Sequence, residues 1–189
     1  MKDDLELVEL ILKGNISAFE EIIRRYEMNI VNFIYNMIKD KSASEDLTQE
    51  VFIVVYKKLY TFKKEYKLST WLYQIARNKA IDYMRKNKKY YELDIQDVSV
   101  TSREMSPESF VEFRETKALI QQFIKLLNDT DRQILSLRYC KDTLTFKEIA
   151  EIMDMGEAAV KKRYYKIHEK YDRFIEGKNG CLQRVSNNL

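Results

Sequence analysis

Apolar residues recur every three or four positions through most of this chain, which is the spacing of amphipathic α-helices. The longest run lies between Phe19 and Met37, where eight apolar positions mark about five helical turns. The same spacing predicts helices over 3–13, 42–59 and 70–88. Only 4 Gly and 1 Pro occur in 189 residues, so the chain-breaking residues that many strand turns would need are scarce. The pattern therefore predicts an all-α fold.

Short polar motifs mark where these helices should begin. In the capping-box pattern, Ser or Thr precedes Glu by three residues. This pattern occurs at Ser17–Glu20, Ser42–Glu45 and Thr145–Glu148. Ser69 is a candidate N-cap for the fourth helix. We expect a helix start at each of these four positions.

The helical spacing disappears between about Tyr90 and Ser109. This stretch holds the single proline, Pro107, and five acidic residues against one basic residue. Such a composition predicts a flexible acidic linker between two small helical domains. The boundaries that follow are an N-terminal domain over 1–89, a linker over 90–109, a C-terminal domain over 110–176 and a frayed tail over 177–189.

A helix-turn-helix pattern lies in the C-terminal domain between Thr145 and Lys170. Two predicted helices flank the short turn 154–156, with small Ala150 in the first and Val160 in the second. Opposite Val160, the second helix carries small residues and lysines, which suit the approach of a helix to a DNA groove and its phosphates. An ordinary helical hairpin with a solvated basic face is the alternative.

Charge is divided along the chain into alternating blocks. Residues 57–91 carry 11 basic and 2 acidic side chains, a net charge of +9, and residues 132–189 carry a net +4. Residues 1–56 and 92–131 each carry a net −5. The two basic blocks could each face a polyanion, although lysines that only solvate helix faces would give the same count.

The first basic block interleaves lysines with aromatic residues and leads into the helix predicted over 70–88. On that helix Leu72, Ala76, Ala80 and Tyr83 share one side, and a polar line headed by Trp71 lies opposite: Trp71, Gln74, Asn78, Asp82 and Arg85. A basic helix with exposed aromatics suits single-stranded nucleic acid, on which bases can stack. The alternative places Trp71 and Tyr73 in the core.

Catalytic and metal-binding chemistry finds little support. Cys140 and Cys181 lack pairing or ligand spacing, His168 is the single histidine, and no Gly-rich phosphate loop occurs. We therefore expect no enzyme activity, no cofactor, no metal and no small-molecule substrate. The start MKDDLELVEL lacks a signal-peptide layout and no apolar run is long enough to span a bilayer, so we expect a cytoplasmic protein.

Three segments, in order, resemble the sigma factors of bacterial RNA polymerase, specifically the extracytoplasmic-function (ECF) group of the sigma-70 family. Residues 46–52 (DLTQEVF) are similar to the helix that binds core polymerase, and residues 69–86 (STWLYQIARNKAIDYMRK) are similar to the helix that binds the promoter −10 element. The helix-turn-helix resembles the domain that binds the −35 element. The resemblance implies a promoter-directing protein in which sigma regions 2 and 4 flank a linker.

The resemblance also implies roles for individual residues. Contacts to the polymerase β′ clamp would come from Asp46, Leu47, Gln49, Glu50, Phe52 and Tyr56. Contacts to −10 DNA would come from Lys63, Lys64, Lys67, Trp71, Tyr73, Arg77, Asn78, Asp82, Arg85 and Lys86. Contacts to −35 DNA would come from Glu157, Ala158, Lys161, Lys162, Tyr165 and Lys166. The implied partners are core polymerase (β′ and β), promoter DNA and an anti-sigma factor, which could hold the protein at the membrane.

The helix-turn-helix departs from the family pattern in its turn. Asp154 stands where a Gly is usual, Gly156 replaces a Ser or Thr cap, and Ala158 and Ala159 replace residues that are often Gly and Thr. Asp tolerates a left-handed conformation better than most residues, so the fold remains credible. An autonomous repressor or activator, and a sigma-like regulator that binds polymerase without binding DNA, are the alternatives.

Overall fold

The computed structural model describes residues 2–87, 118–140 and 144–186, and the side chains up to residue 178. The predicted linker over 90–109 and the last residues of the predicted tail lie outside the described residues. Every regular element in the described ranges is helical, as the sequence predicts. The elements are α1 (Asp4–Leu12), α2 (Ile16–Ile38), α3 (Lys41–Lys58), a 3-10 turn (Leu59–Thr61), α4 (Leu68–Lys86), α5 (described over 118–125), α6 (Asp129–Arg138), α7 (Phe146–Met153) and α8 (Glu157–Ser186).

The predicted start of α7 is confirmed, because Thr145 and Glu148 form a reciprocal capping box. The predicted starts of α2 and α3 are wrong by a few residues. Asn15 caps α2 by accepting a 3.1 Å hydrogen bond from the Ala18 amide, and Asp40 caps α3 in the same way with Ala43. Asn and Asp cap at least as well as Ser and stand earlier in the chain, so the helices begin there.

The start of α4 is also earlier than predicted. The helix begins at Leu68, and Lys67 occupies the cap position without a side-chain hydrogen bond to the first turn. Ser69 is a buried residue of that turn. Because Leu68 is itself almost fully buried, packing of the first turn sets this boundary.

The N-terminal helices form a bundle around α2, which contacts α1, α3 and α4. Its core is built from the apolar stripes that the sequence pattern marks, with Ile30 and Ile34 of α2 against Val51 of α3 and Leu72 of α4. The C-terminal helices form a smaller unit, in which α8 packs against α6 and α7. A separate small apolar cluster joins α5 to α8 through Phe123, Leu127 and Ile167.

The two units are packed against each other, which the sequence does not predict. Helix α4 contacts α7, and α2 contacts α6. One continuous apolar core joins the N-terminal bundle to residues of the C-terminal unit, including Leu137, Ile149 and Ile152. Asn36 of α2 donates a 3.0 Å hydrogen bond to the Ser136 hydroxyl of α6. The described chain therefore forms a closed arrangement in which α4 is partly covered by α7.

Candidate nucleic-acid and partner interfaces

An open apolar groove lies between α2 and α3. It has a volume of about 520 Å³, and its apolar lining comprises Ile16, Phe19, Ile23, Phe52, Ile53 and Tyr56. The Phe19 ring contacts both aromatic neighbours on α3, with centroids 5.0 Å from Tyr56 and 6.4 Å from Phe52. Ile16 and Ile53 are 66% and 53% exposed. Large apolar side chains grouped on one exposed surface typically mark a protein-binding site.

The candidate polymerase-binding residues of α3 fall into two groups. Asp46, Gln49, Glu50 and Tyr56 are exposed beside or within the groove, where a partner could contact them. Phe52 is buried but forms part of the groove lining. Leu47 is buried in the core and does not line the groove, so the structure does not present its side chain to a partner.

Helix α4 presents the polar line that the sequence predicts. Gln74, Asn78, Asp82 and Arg85 are all exposed, whereas Leu72, Ala76 and Ala80 of the opposite side are fully buried. Arg85 and Asp82 form an ion pair at 3.6 Å, but both side chains are mostly exposed and such a pair contributes little to stability. The line is therefore available to a ligand.

Two aromatic residues of α4, Trp71 and Tyr73, differ in position although only one residue separates them in the sequence. Trp71 is partly buried and packs against Phe62, with ring centroids 5.4 Å apart. Tyr73 is completely buried and packs edge-on against Phe33. The assignment of Tyr73 to DNA therefore needs correction, because its ring would have to leave the core to reach a base. Of these two rings, that of Trp71 is the one that is partly exposed.

The basic residues around α4 are partly engaged in ion pairs. Lys64 Nζ lies 2.5 Å from Glu9 Oε1, and this hydrogen bond lowers the pKa of Glu9. Lys79 Nζ lies 2.7 Å from Glu50 Oε2, which ties α4 to α3. Lys63 and Lys86 are exposed. The loop before α4 and the end of the helix thus offer cations to an anionic ligand.

Two further cations of this set contact the C-terminal unit instead. Lys67 Nζ lies 2.8 Å from Glu148 Oε1 of α7. Arg77 is half-buried, and its Nε donates a 3.2 Å hydrogen bond to Gln133 Oε1 of α6. Burial lowers the pKa of Arg77. Gln133 and Glu148 were missed by sequence reasoning, since no signal along the chain links residues this far apart.

The helix-turn-helix has the geometry that its sequence predicts. Asp154 ends α7 in the left-handed region, with φ 54° and ψ 51°, as expected for a residue that replaces the usual Gly. The Met155 amide then donates a 3.0 Å hydrogen bond to the Ala150 carbonyl. Ala150 and Val160 are buried where the two helices meet. The altered turn is thus accommodated without loss of the motif.

The outer face of α8 is open to solvent. All of its candidate DNA-binding residues are exposed: Glu157, Ala158, Lys161, Lys162, Tyr165 and Lys166. Lys161 forms an ion pair with Glu157 at 2.7 Å, one turn earlier, and this contact raises the pKa of Lys161. This face combines the small side chain of Ala158 near its start with three lysines, a combination suited to a phosphate backbone.

The described residues do not support a metal site or a membrane-spanning helix. Among them no group of three or more His, Cys, Asp or Glu side chains could hold a metal ion. None of the described helices combines the length and the apolar character needed to cross a bilayer.

Both helical units match families of known proteins. The family Sigma-70 region 2 matches residues 22–90, and the family Sigma-70, region 4 matches residues 123–170. The ECF RNA polymerase sigma factors SigW and SigM of Bacillus subtilis are each 34% identical to the chain. The SigW alignment spans 171 residues, 86% of this chain and 91% of that protein. The SigM alignment spans 157 residues, which are 81% of this chain and 92% of SigM.

Two solved structures share the fold at lower identity. CnrH, in complex with the cytosolic domain of CnrY, has a TM-score of 0.65 at 17% identity over 92% of this chain and 97% of that one. The sigma factor RpoE of Bartonella quintana, in complex with the anti-sigma factor NepR, has a TM-score of 0.63 at 16% identity. The match covers 84% of this chain and 96% of RpoE. The region matches and the relatives together show that the chain belongs to the ECF group of sigma-70 RNA polymerase sigma factors, the initiation factors that direct polymerase to promoters.

Proposed function

We propose that the α2–α3 groove is the surface through which this sigma factor binds core RNA polymerase. Exposed apolar residues in the groove would supply the buried centre of the interface, and Asp46, Gln49 and Glu50 would form its polar rim toward the β′ clamp helices. The exposure of Ile16, Ile53 and Tyr56 supports this role, because at least half of each side chain remains open to a partner.

Helix α4 and the loop before it are our candidates for the −10 element. The exposed line from Gln74 to Arg85 would follow the opened strand, with Asn78 at its centre. Lys63, Lys64 and Lys67 would hold the backbone around a flipped base, whose unstacking costs a few kcal/mol that a protein pocket can offset. Trp71, at the head of the line, would stack against an exposed base.

The exposed face of α8 is our candidate for the −35 element. Ala158 would allow the helix backbone to approach the major groove, and Lys161, Lys162 and Lys166 would contact phosphates. Tyr165 is 58% exposed on the same face and would contact a base edge or a sugar. Glu157, at the first turn, would accept a hydrogen bond from cytosine.

An anti-sigma factor is the expected regulatory partner. RpoE of Bartonella quintana was solved in complex with the anti-sigma factor NepR, and CnrH was solved with the cytosolic domain of CnrY. We propose the same class of partner for this chain, a cytoplasmic location, and tethering at the membrane through that partner. We assign the chain no catalytic step and no cofactor, because the proposed role is to position polymerase, which carries out the chemistry.

A single observation carries this proposal. One chain presents an apolar partner groove and two exposed basic faces, and both basic faces lie within matched sigma regions. The test adds the purified chain to core polymerase and maps transcript 5′ ends across a genome. We expect the starts to share one −35/−10 pair. Starts without a shared pair would contradict the proposal, and a tight footprint on duplex DNA without polymerase would favour an autonomous regulator.

A further inference from the structure

Another apolar pocket, which we call the junction pocket, lies where the end of α2 meets α5, α6 and α8. Its volume is about 510 Å³, which is within the range of pockets that bind small molecules. Its apolar lining comprises Ile120, Phe123, Ile124, Leu135 and Ile167. None of the residues that we assign to polymerase or to DNA lines this pocket, so the proposed function leaves it without a role.

The junction pocket is lined by two cations, Lys39 at the end of α2 and Arg132 of α6, and by no carboxylate among the described residues. Lys39 is half-buried and forms no ion pair within the described part of the chain. Its Nζ lies 3.5 Å from Asn36 Oδ1 and 5.4 Å from the centre of the Tyr35 ring. Arg132 pairs with Asp129, an exposed residue outside the pocket lining. The pocket therefore has an excess of positive charge beside its apolar wall.

This excess charge is unfavourable when the pocket is empty of an anion. Burial and the nearby charge of Arg132 both lower the pKa of Lys39. Two like charges repel each other, and burial withdraws the water that would otherwise stabilise them. A bound anion would offset both effects, because it would attract each cation and replace part of the lost hydration.

The backbone of Lys39 is also unusual for a residue of this size. Lys39 ends α2 in the left-handed region, with φ 56° and ψ 20°, and its amide donates a 2.8 Å hydrogen bond to the Tyr35 carbonyl. Gly or Asn is the usual residue at such a helix end, because a larger side chain is strained there. A long cationic side chain thus occupies a position where a smaller residue would fit better, and strain of this kind is typical of functional sites.

We propose that the junction pocket binds a small amphipathic carboxylate, of the class of a medium-chain fatty acid. Its chain would pack against the apolar wall, and its carboxylate would accept charge-assisted hydrogen bonds from Lys39 and Arg132. Two other polar groups of the lining, Asn36 and Ser136, already bond to each other at 3.0 Å, which leaves the cations to recognise the ligand. Because the walls come from both sigma regions, a bound carboxylate would stabilise the arrangement in which these walls meet.

The test titrates the full chain with octanoate at neutral pH and follows two NMR signals. His168, the single histidine of the chain, lines the pocket, and Trp71, its single tryptophan, lies on α4 outside it. Octanoate should shift the His168 imidazole signal in a saturable way and leave the Trp71 indole signal unchanged. Octyltrimethylammonium and 1-octanol carry the same chain with a positive charge or none. Octanoate should bind about tenfold more tightly than either, the factor that one charge-assisted hydrogen bond gives.

Two pairs of variants locate the site. Lys39→Asn removes the cation and suits the left-handed backbone, so it should weaken octanoate binding about tenfold without loss of thermal stability. Lys13→Asn, at the exposed end of α1, is its matched control and should bind as the wild-type chain does. Ile120→Trp should fill the pocket from an exposed position and abolish binding. Ile53→Glu, in the α2–α3 groove, should leave the affinity unchanged.

Four results would overturn the proposal. The first is equal octanoate affinity in Lys39→Asn and Lys13→Asn, and the second is no saturable shift of the His168 signal at about 5 mM octanoate. The third is loss of binding in Ile53→Glu but not in Ile120→Trp, which would place the ligand in the α2–α3 groove. The fourth is binding of 1-octanol as tight as that of octanoate. The pocket would then suit an uncharged apolar group, such as a side chain of a partner protein.

Discussion

The ring of Tyr73 meets the ring of Phe33 edge-on, with centroids 5.3 Å apart and planes at 88°. Both rings are buried, so this pair joins α4 to α2 in the centre of the N-terminal bundle. The next residue, Gln74, is exposed. One step along α4 therefore separates a residue that stabilises the fold from one that is available to DNA.

Tyr73→Ala should destabilise the N-terminal bundle by about 3–5 kcal/mol, because a buried ring is replaced by a cavity. Tyr73→Phe should cost less, since it keeps the ring against Phe33. Gln74→Ala should stay within about 0.5 kcal/mol of the wild-type chain because its side chain is exposed. Chemical denaturation of the three variants measures these differences. A Tyr73→Ala variant with wild-type stability and reduced DNA binding would restore Tyr73 to the DNA surface.

Trp71→Ala should preserve polymerase binding and reduce promoter opening. Its ring is partly exposed and packs against Phe62, so its loss should remove a stacking platform for melted DNA. Permanganate footprinting of the melted region measures opening, and co-purification with core polymerase measures binding. If Trp71→Ala unfolds the N-terminal bundle in thermal denaturation, the indole is a core residue and the assignment is wrong.

Ile53→Glu should weaken binding of core polymerase by about tenfold or more, because a charge would be buried at the centre of the proposed interface. Ile53 is 53% exposed in the free chain, so the fold should tolerate the change. Met28→Glu is the matched control, since Met28 is 67% exposed on α2 and does not line the groove. Fluorescence anisotropy with labelled chain gives both affinities, and equal losses in the two variants would exclude the groove as the interface.

Replacing Lys162 and Lys166 with Ala should weaken −35 binding and flatten its salt dependence. The slope of log affinity against log salt should fall by about 2 if each lysine neutralises one phosphate. Both residues are exposed on α8, so the fold should not change. Lys13→Ala, an exposed lysine at the end of α1, should leave the slope unchanged. The holoenzyme titrated on duplex promoter DNA at several salt concentrations provides the comparison.

Glu148 should make stability depend on pH. Burial acts to raise the pKa of Glu148, but hydrogen bonds from Lys67 and Thr145 outweigh it and hold the pKa below its ordinary value of 4.5. The charged form is therefore favoured by folding, and its contribution is present above pH 4.5 and lost as pH falls through the lower folded value. The free energy of unfolding of Glu148→Gln should fall less between pH 4.5 and more acidic pH than that of the wild-type chain. Parallel pH profiles would contradict this assignment.

Sequence periodicity determined which face of each helix is apolar. It predicted the all-α fold, the helices of the helix-turn-helix and the exposed line of α4, whereas the family resemblance pointed to a left-handed turn at Asp154. The apolar and exposed faces depend on spacing within one helix. Side chains three or four residues apart share a face regardless of which other helices pack nearby. Helix starts were less well predicted, since Asn15 and Asp40 compete with nearby serines for the same cap.

Tertiary structure alone decided which faces meet. It placed Leu47 and Tyr73 in the core, and it closed α7 over α4 so that Glu148 and Gln133 hold Lys67 and Arg77. An aromatic residue of α4 can pack inward or stack on a base, and a lysine can bind a carboxylate or a phosphate with the same group. The sequence contains both options, and only the contacts between distant helices select one, because burial depends on what each face packs against.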